Sequence, residues 1–306
     1  MTPIHIRVLR HSAFYSPLLL TIAAGFLREE GLAPHYDVAT PNNTLEAGIQ
    51  SGTVEVAQSA VAVSFVSPSY SSSNPENTQI RHFAQINQRD GFFLTARQTA
   101  DNLSTSGFDW QNLKGKKVLV DHFFQPLAMF KFALHKLGID IAELEVIDAG
   151  DVNAIDAAFR AGQGDFVHQQ GPYAQQLEAD GLGQVVAQVG DIVGPVAFSS
   201  LCASSDWLRS DMAKAFMHAY RKGREASRSL PAEEIALLEK DYFPEIDMPV
   251  LVQTIQAYQA LGCWDGDPEI SREIFENTLD VFEFSKDISQ RYAWQDVICA
   301  PPDIVS

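Results

Sequence analysis

The sequence predicts an α/β protein with two βα lobes, a cleft between them, two crossover strands joining them and a helical C-terminal region. Three observations predict this fold. Strand-like and helix-like segments alternate over residues 4–67, the alternation restarts at residue 116, and nearly all of the chain from Asp206 onward has a helical pattern. Such alternation is typical of mainly parallel sheets with helices on their faces.

The elements of the first third of the chain are predicted from alternating apolar segments and from residues that start or stop helices. Strands are predicted at 4–10, 33–40, 54–58, 79–88 and 91–98, and helices at 16–31, 43–52 and 60–67. Ser16 is placed as the cap of the first helix, with Pro17 in its first turn and Gly31 as its stop. Asn43 is placed as the cap of the second helix, with Glu46 three residues on as in a capping box.

The middle of the chain repeats this alternation of strands and helices. Strands are predicted at 116–121, 144–150, 184–189 and 196–204, and helices at 125–138 and 151–163. Asp151 is expected to cap the last of these helices. With crossovers around 88–91 and 192–200, lobe I takes residues 1–88 and 199–306, and lobe II takes residues 89–198.

Composition excludes several classes of protein. The chain has 306 residues, is 46% hydrophobic and carries a formal net charge of −17, so it lacks the basic surplus that nucleic acid requires. Cys202, Cys263 and Cys299 are too widely spaced for a zinc motif or a disulfide framework. The longest apolar run, 17–27, is too short to span a bilayer, so no membrane insertion is expected. The first strand follows Met1 almost directly, which predicts a cytoplasmic protein, or a periplasmic one whose signal peptide has been removed.

The stretch AGQGDFVHQQGPYAQQL, residues 161–177, places three polar side chains where a core strand gives way to a helix starting at Gly171 and Pro172. Strand ends that face a helix N-terminus are where open α/β sheets hold ligands, although a simple turn would explain the same residues. Strand alternation puts His168 and Gln170 on one face and Gln169 on the other. We favour His168 as the residue that faces the cleft.

The segment VLRHSAFYSPLLLTIAAGFLREEGL, residues 8–32, resembles the opening of the sulfonate-, nitrate- and thiamine-precursor-binding proteins (the SsuA/THI5-like, NMT1 group). Three further segments agree with the resemblance: 45–60, 108–121 and 157–177. The group has the type II periplasmic-binding-protein fold and also contains THI5-like pyrimidine synthases. The resemblance implies a monomeric solute-binding protein that holds a small organic ligand between its lobes, with an ABC permease as a possible partner.

The resemblance also implies pocket residues in the loops that follow the strands of both lobes. In lobe I these are His11, Ser12, Phe14, Tyr15, Asn42, Asn43, Thr44, Gln58 and Ser59. In lobe II they are His122, Phe123, Gln125, His168, Gln169, Gln170 and Tyr173.

The chemistry of these residues indicates the kind of ligand. Helix N-termini near the cleft favour an anionic or oxygen-rich group, and aromatic faces with His and Gln edges suit a planar heterocycle such as a pyrimidine, or an aromatic or sulfonate-type acid, better than nitrate. We expect Asn43 and Asp151 to act as helix caps rather than as ligand contacts. One of Phe123 and Phe124 is expected in the core.

No catalytic motif is present, and no cofactor is expected. The cysteine-rich signature of the pyrimidine synthases has no match, since LCASS at 201–205 holds one thiol. A cytoplasmic enzyme on the same fold, either a THI5-like synthase or a chorismate-dehydratase type, remains an alternative, and a cytoplasmic ligand sensor is a second one. A metal site formed by His11, His122 and His168 is a hypothesis without a spacing signal.

Overall fold

The computed structural model describes residues 1–67, 70, 79–97 and 107–302. Its strands are β1 (Thr2–Val8), β2 (Leu32–Val38), β3 (Val56–Ser59), β4 (Ile80–Asn87), β5 (Phe92–Arg97), β6 (Lys117–Val120), β7 (Glu145–Ile147), β8 (Phe166–Gln170), β9 (Gly183–Gln188) and β10 (Ser199–Ser204). They form two five-stranded sheets. The first sheet has the order β2-β1-β3-β10-β4, and the second has the order β7-β6-β8-β5-β9.

Helices cover the sheets and make up the C-terminal region. They are α1 (Ser16–Ala23), α2 (Phe26–Glu29), α3 (Leu45–Gln50), α4 (Val63–Val66), α5 (Phe124–Lys136), α6 (Val152–Arg160), α7 (Tyr173–Ala179), α8 (Val189–Val193), α9 (Asp211–Ser229), α10 (Ala232–Glu239), α11 (Met248–Leu261), α12 (Arg272–Phe284) and α13 (Trp294–Val297). Short 3₁₀ helices lie at Ala13–Tyr15, Trp110–Leu113, Ile141–Glu143, Trp207–Arg209 and Lys240–Tyr242. Among the described residues no helix combines the length and apolar character needed to cross a membrane.

Both sheets mix parallel and antiparallel strands in the same way. In the first sheet β1 pairs in parallel with β2 and β3, while β10 is antiparallel to β3 and β4. In the second sheet β6 pairs in parallel with β7 and β8, while β5 is antiparallel to β8 and β9. The α/β fold class with two βα units and a helical C-terminal region is therefore confirmed.

The chain passes from one sheet to the other between β4 and β5 and returns between β9 and β10. Residues 88–91 and 194–198 in these connections are irregular, and β10 begins only at Ser199, three residues later than predicted. The crossovers are thus short loops rather than strands. The exact division into lobes at 88/89 and 198/199 stays a prediction.

Phe14 was predicted to line the cleft, but it packs against both connections and belongs to the core. Its ring lies 5.5 Å from that of Phe198 in the second connection and 5.0 Å from that of Tyr258. In the first connection, a Cβ added to Gly91 would lie 2.3 Å from the Phe14 ring, so only glycine fits there. The side chain is fully buried, and it fills the space where the two sheets meet.

Two predicted helix caps are wrong, although the first helix begins at residue 16 as predicted. The cap of α3 is Thr44, whose side-chain oxygen accepts from the backbone N–H of Ala47, whereas Asn43 accepts from the guanidinium of Arg7. Ser16 does not cap α1 but is its first residue. Its hydroxyl is 2.8 Å from the carbonyl of Ala13.

The long helix predicted over 16–31 is broken in the structure. Gly25 adopts a φ of +83°, in the left-handed region that ends a helix, so α1 and α2 are separate. Gly31 stops the segment as predicted, with a φ of +76°. Asp151 is confirmed as the cap of α6, because its carboxylate accepts from the N–H groups of Asn153 and Ala154.

Candidate functional site

A cavity of about 530 Å³ lies where strands of both sheets end. Fourteen residues line it: Arg10, His11, Ser12, Asp121, His122, Phe123, Asp148, Gly150, Asp151, Val152, Gln169, Gln170, Gly171 and Tyr173. The first three follow β1, and the other eleven lie at or after the ends of β6, β7 and β8, whose carboxyl ends share one edge of the second sheet. This is the position at which open α/β sheets hold ligands, and the volume suits a small organic molecule.

A smaller cavity of about 40 Å³ adjoins the first and shares Arg10, Phe123 and Gln170 with it. Its other lining residues are Leu9, Tyr15, Gln58, Ala60, Val63, Phe92, Phe124, Gln125, Pro126, Phe198 and Ser199. Aliphatic and aromatic side chains dominate this set. The larger cavity is therefore the more polar of the two.

One ion pair crosses between the sheets at the cavity. Arg10 follows β1 and its guanidinium lies 3.4 Å from the carboxylate of Asp121, which follows β6. The guanidinium also lies 5.3 Å from the ring centroid of Phe123. The other oxygen of Asp121 accepts from the backbone N–H of Phe123, so this carboxylate is held on two sides.

A second set of contacts joins the sheets at Gly171. The Ser12 hydroxyl donates to the Gly171 carbonyl over 3.3 Å, and the Gly171 N–H donates to the Tyr258 hydroxyl over 2.9 Å. A Cβ on Gly171 would lie 2.7 Å from side-chain atoms of Gln175 and Thr254, so a larger residue would push this turn away. Backbone and side chains from three elements therefore fix the wall at the end of β8.

Buried amide groups without partners lie at the cavities. Gln169 is only 2% exposed, and neither its Nε2 nor its Oε1 has a hydrogen-bond partner among the described residues. Gln125 donates to the carbonyl of Phe198 over 2.9 Å, but its Oε1 has no partner in the described part of the chain. A buried polar group left unpaired costs about 1–3 kcal/mol, and such groups at a cavity indicate where a ligand or water bonds.

The lining of the larger cavity carries more negative than positive charge. Asp121, Asp148 and Asp151 face one arginine, Arg10, which is already paired with Asp121. Burial lowers the pKa of His11 below its ordinary value, which favours its neutral form. This balance opposes the anionic ligand that the helix N-termini had suggested, since a second negative charge would meet uncompensated carboxylates.

Most of the predicted pocket residues come together at these cavities. The structure places His11, Ser12, Tyr15, Gln58, His122, Phe123, Gln125, Gln169, Gln170 and Tyr173 in their walls. Of the adjacent pair, Phe123 is 50% exposed and Phe124 packs against the core. The role of each in binding stays a prediction.

The prediction that His168 faces the cleft is wrong. Its ring lies between those of Phe92 and Phe130, at centroid distances of 4.7 and 4.8 Å, and lines neither cavity. Burial lowers its pKa to about 3, with a smaller contribution from His122. His168 therefore does not join His11 and His122 at a metal site.

Four other predicted residues, besides Phe14, also lie outside the walls of these cavities. Three of them, Asn42, Asn43 and Thr44, are exposed just before α3. Asn43 accepts a hydrogen bond from Arg7, and Thr44 caps the N-terminus of α3. Ser59 is buried, and its hydroxyl accepts from Tyr70 over 3.4 Å.

Sequence reasoning missed Arg10 and Asp121 as site residues. Both are charged and stand at the last position of a predicted strand, next to residues that had been selected. A charge that ends an otherwise apolar strand at the sheet edge is the signal that could have found them.

Comparison with known proteins agrees with this architecture. The family described as NMT1/THI5 like matches residues 13–234. A relative from Bacillus subtilis (strain 168), described as "Putative binding protein YtlA", is 26% identical over 302 residues, which cover 97% of this chain and 88% of the relative.

Solved structures share the fold at low sequence identity. The periplasmic aliphatic sulphonate binding protein SsuA from Escherichia coli matches with a TM-score of 0.70 and 13% identity, over 100% of this chain and 94% of its own. The periplasmic nitrate-binding protein NrtA from Synechocystis PCC 6803 matches with a TM-score of 0.65 and 14% identity, over 90% of this chain and 75% of its own. Because the family match spans more than half of the chain, the protein belongs to the NMT1/THI5-like family.

Proposed function

We propose that this protein binds a small, neutral planar solute in the cavity at the ends of β1, β6, β7 and β8, as the solute-binding component of an ABC import system. The observation that carries the proposal is Gln169, a buried amide in the cavity wall with both polar atoms unpartnered among the described residues. A solute that supplies one acceptor and one donor would satisfy both atoms.

The adjacent donor and acceptor of an amide match the edge of a heterocycle that itself has a donor beside an acceptor, such as an aminopyrimidine or a lactam. Aromatic rings from Tyr15, Phe123 and Tyr173 in the cavity walls offer faces for stacking a planar ring. The excess of carboxylates disfavours a sulfonate or nitrate ion. We therefore propose that the ligand of this protein differs from the sulfonate and nitrate ligands named for its structural neighbours.

The cavity walls also support closure around the solute. Contacts from loops after both sheets are made together only when the sheets approach, so a solute that bridges them stabilises the closed arrangement. The pair formed by Arg10 and Asp121 is a contact of this type.

Native mass spectrometry of the freshly purified chain tests the ligand class. We expect a bound species of small mass that is released on denaturation and absorbs in the ultraviolet as a heterocycle. Thermal-shift measurements with a 4-aminopyrimidine, the sulfonate MOPS and nitrate then rank these three ligand classes. A ligand that binds only the folded state raises the melting temperature as its concentration increases. Stabilisation by MOPS or nitrate alone would contradict the neutral-solute assignment.

Variants locate the binding site. Gln169→Leu should strongly reduce the shift caused by the best ligand, whereas Gln256→Leu, at an exposed position on α11, should leave it unchanged. An unchanged shift in Gln169→Leu would move the site elsewhere.

Import needs a location outside the cytoplasmic membrane and a permease. Adjacent genes for an ABC permease and its ATPase would support this role. Solute uptake that persists after deletion of this chain's gene, with such a permease intact, would contradict it.

A further inference from the structure

We propose a second site, unrelated to the cavity, at which His5, His35 and Asp37 bind a first-row divalent transition metal ion such as Zn²⁺. One ligand atom from each of the three residues lies within 4.8 Å of the other two. Two imidazoles with one carboxylate form a ligand set that suits zinc and is poorly suited to Mg²⁺ or Ca²⁺, which prefer oxygen ligands.

The sheet register places the three side chains on one face. His5 on β1 stands directly opposite His35 on β2, and Asp37 follows His35 by two residues. Because side chains alternate along a strand, all three point to the same side, while Ile4 and Ile6 point to the core. The two imidazole rings lie 4.4 Å apart between centroids.

The hydrogen bonds of His5 orient it as a ligand. Its Nδ1 lies 2.8 Å from the carbonyl oxygen of Thr53, and because a carbonyl only accepts, Nδ1 carries the proton. A ligating histidine typically donates its other ring N–H to a backbone carbonyl in this way. Nε2 then carries the lone pair, and it lies 3.1 Å from the Oδ2 atom of Asp37 without a hydrogen bond to it.

Two acceptor atoms at that distance repel each other unless a cation lies between them. A proton on His5 or a bound metal ion removes the repulsion between Nε2 of His5 and Oδ2 of Asp37. His35 adds a second nitrogen close by, which a metal ion can bind but a single proton between His5 and Asp37 does not need. The ring nitrogens of His35 have no hydrogen-bond partner in the part of the chain that the structure describes, and the residue is exposed, so it is accessible to solvent and can move.

The local charges permit a divalent ion. Arg7 binds both oxygens of Asp37 at 2.7 Å, which orients the carboxylate and neutralises its charge. Glu55 accepts from the backbone N–H of His5 over 2.7 Å and adds a second negative charge beside the site. Tetrahedral zinc with ligands at about 2.0–2.2 Å separates those ligands by roughly 3.3–3.6 Å, so atoms that lie up to 4.8 Å apart have to approach by up to about 1.5 Å, which a rotation of the exposed His35 side chain can supply.

Calorimetric titration of the metal-free full chain with ZnCl₂ tests the proposal. We expect one ion per chain at this site and a melting temperature that rises with Zn²⁺ concentration, since the ion joins β1 to the edge strand β2. His35→Ala should weaken this binding at least about tenfold, and His35→Asp should restore part of it because a carboxylate can replace the imidazole. The control His218→Ala, at a histidine paired with Glu30, should bind Zn²⁺ as the wild type does.

Long-range ¹H–¹⁵N spectra of the imidazoles assign the site. Zn²⁺ should shift the His5 and His35 resonances and leave that of His218 in place. Circular dichroism of His35→Ala should match the wild type, because the side chain is exposed. Unchanged stoichiometry and affinity in His35→Ala, or no shift of the His5 and His35 resonances, would overturn the proposal whatever ligand the cavity binds.

Discussion

Two neighbouring polar residues of β8 are both buried, but they lie in different surroundings. His168 packs between two phenylalanine rings in the core, whereas the next residue, Gln169, lines the cavity. Neither side chain has a hydrogen-bond partner among the described residues. Both unpaired groups cost free energy, but only the atoms of Gln169 lie where a solute can reach them, so burial without a partner indicates a binding residue at Gln169 and not at His168.

Replacing each of these neighbours by leucine gives the sharpest test and the largest expected effect. Gln169→Leu should weaken solute binding by about 10- to 100-fold, which corresponds to the loss of one or two desolvated hydrogen bonds. It should also raise the free energy of unfolding of the ligand-free protein, because two unpaired polar atoms disappear. Calorimetry and urea unfolding measure the two quantities.

His168→Leu should leave solute affinity within about twofold of the wild type. Since the folded-state pKa of His168 is about 3, the unfolded chain takes up its proton near pH 6.5 and the folded chain does not. Its contribution to stability is therefore present above pH 6.5 and lost as the pH falls towards 3. His168→Leu should flatten this loss. A large drop in solute affinity in this variant would show that His168, like Gln169, contributes to binding.

The pair that crosses between the sheets is expected to have the next largest effect. Arg10→Met should lower the free energy of unfolding by about 1 kcal/mol, because it leaves the carboxylate of Asp121, only 5% exposed, without its partner. The double variant Arg10→Met/Asp121→Asn should recover part of that loss, and the difference measures the coupling between the sheets. Additive losses would show that the pair carries no such coupling.

Scattering tests whether this coupling belongs to closure. The radius of gyration of the wild type should fall when the solute identified by mass spectrometry is added, and fall less in Arg10→Met. An unchanged scattering profile at saturation would contradict closure of the cleft.

A buried carboxyl near the first connection should control the pH dependence of stability. Burial, with a smaller contribution from Asp121, raises the pKa of Asp90 to about 8 from 3.8. The folded state thus holds a proton that the unfolded state releases near pH 4, so the contribution of Asp90 is complete below that pH and lost as the pH rises towards 8.

Asp90→Asn keeps the oxygen that accepts from Phe92 N–H and removes the charge. We expect unfolding free energies that decline less between pH 5 and pH 8, by at least about 1 kcal/mol, when measured with urea. The exposed control Asp267→Asn should follow the wild type. Parallel curves for Asp90→Asn and the wild type would refute the assignment.

The smallest effects separate two helix caps. Thr44→Ala and Asp151→Ala should each cost about 1 kcal/mol of stability, because each side chain accepts from N–H groups at a helix start. Only Asp151 lines the cavity, so only its replacement should change solute affinity. Equal binding by both variants would restrict Asp151 to its capping role.

Structural features that depend on residues close together in the sequence could be predicted, whereas features that depend on distant residues could not. Alternation of strands and helices is local, and it predicts the architecture. The stop at Gly31 and the cap at Asp151 are also local, since each depends on a few neighbouring backbone groups. The break at Gly25 was missed because the apolar pattern continues across it.

The site was predictable in position but not in detail. Residues after β6 and β8 reach the cavity because parallel strands end at one edge of the sheet. The burial of His168 depends on Phe92 and Phe130, which are far away in the sequence. The role of Arg10 depends on Asp121, 111 residues away, and only the folded chain brings them together.

Phe14 has a practical consequence for labelling experiments. Its ring touches both connections between the sheets, so it lies near the axis of any rotation of one sheet against the other, where displacements are smallest. Phe123 is half exposed and lines the wall of both cavities, where a bound solute would contact it. A fluorine label on Phe123 should therefore report solute binding as a change in its ¹⁹F NMR chemical shift. The same label on Phe14 should keep its chemical shift and so serve as an internal reference.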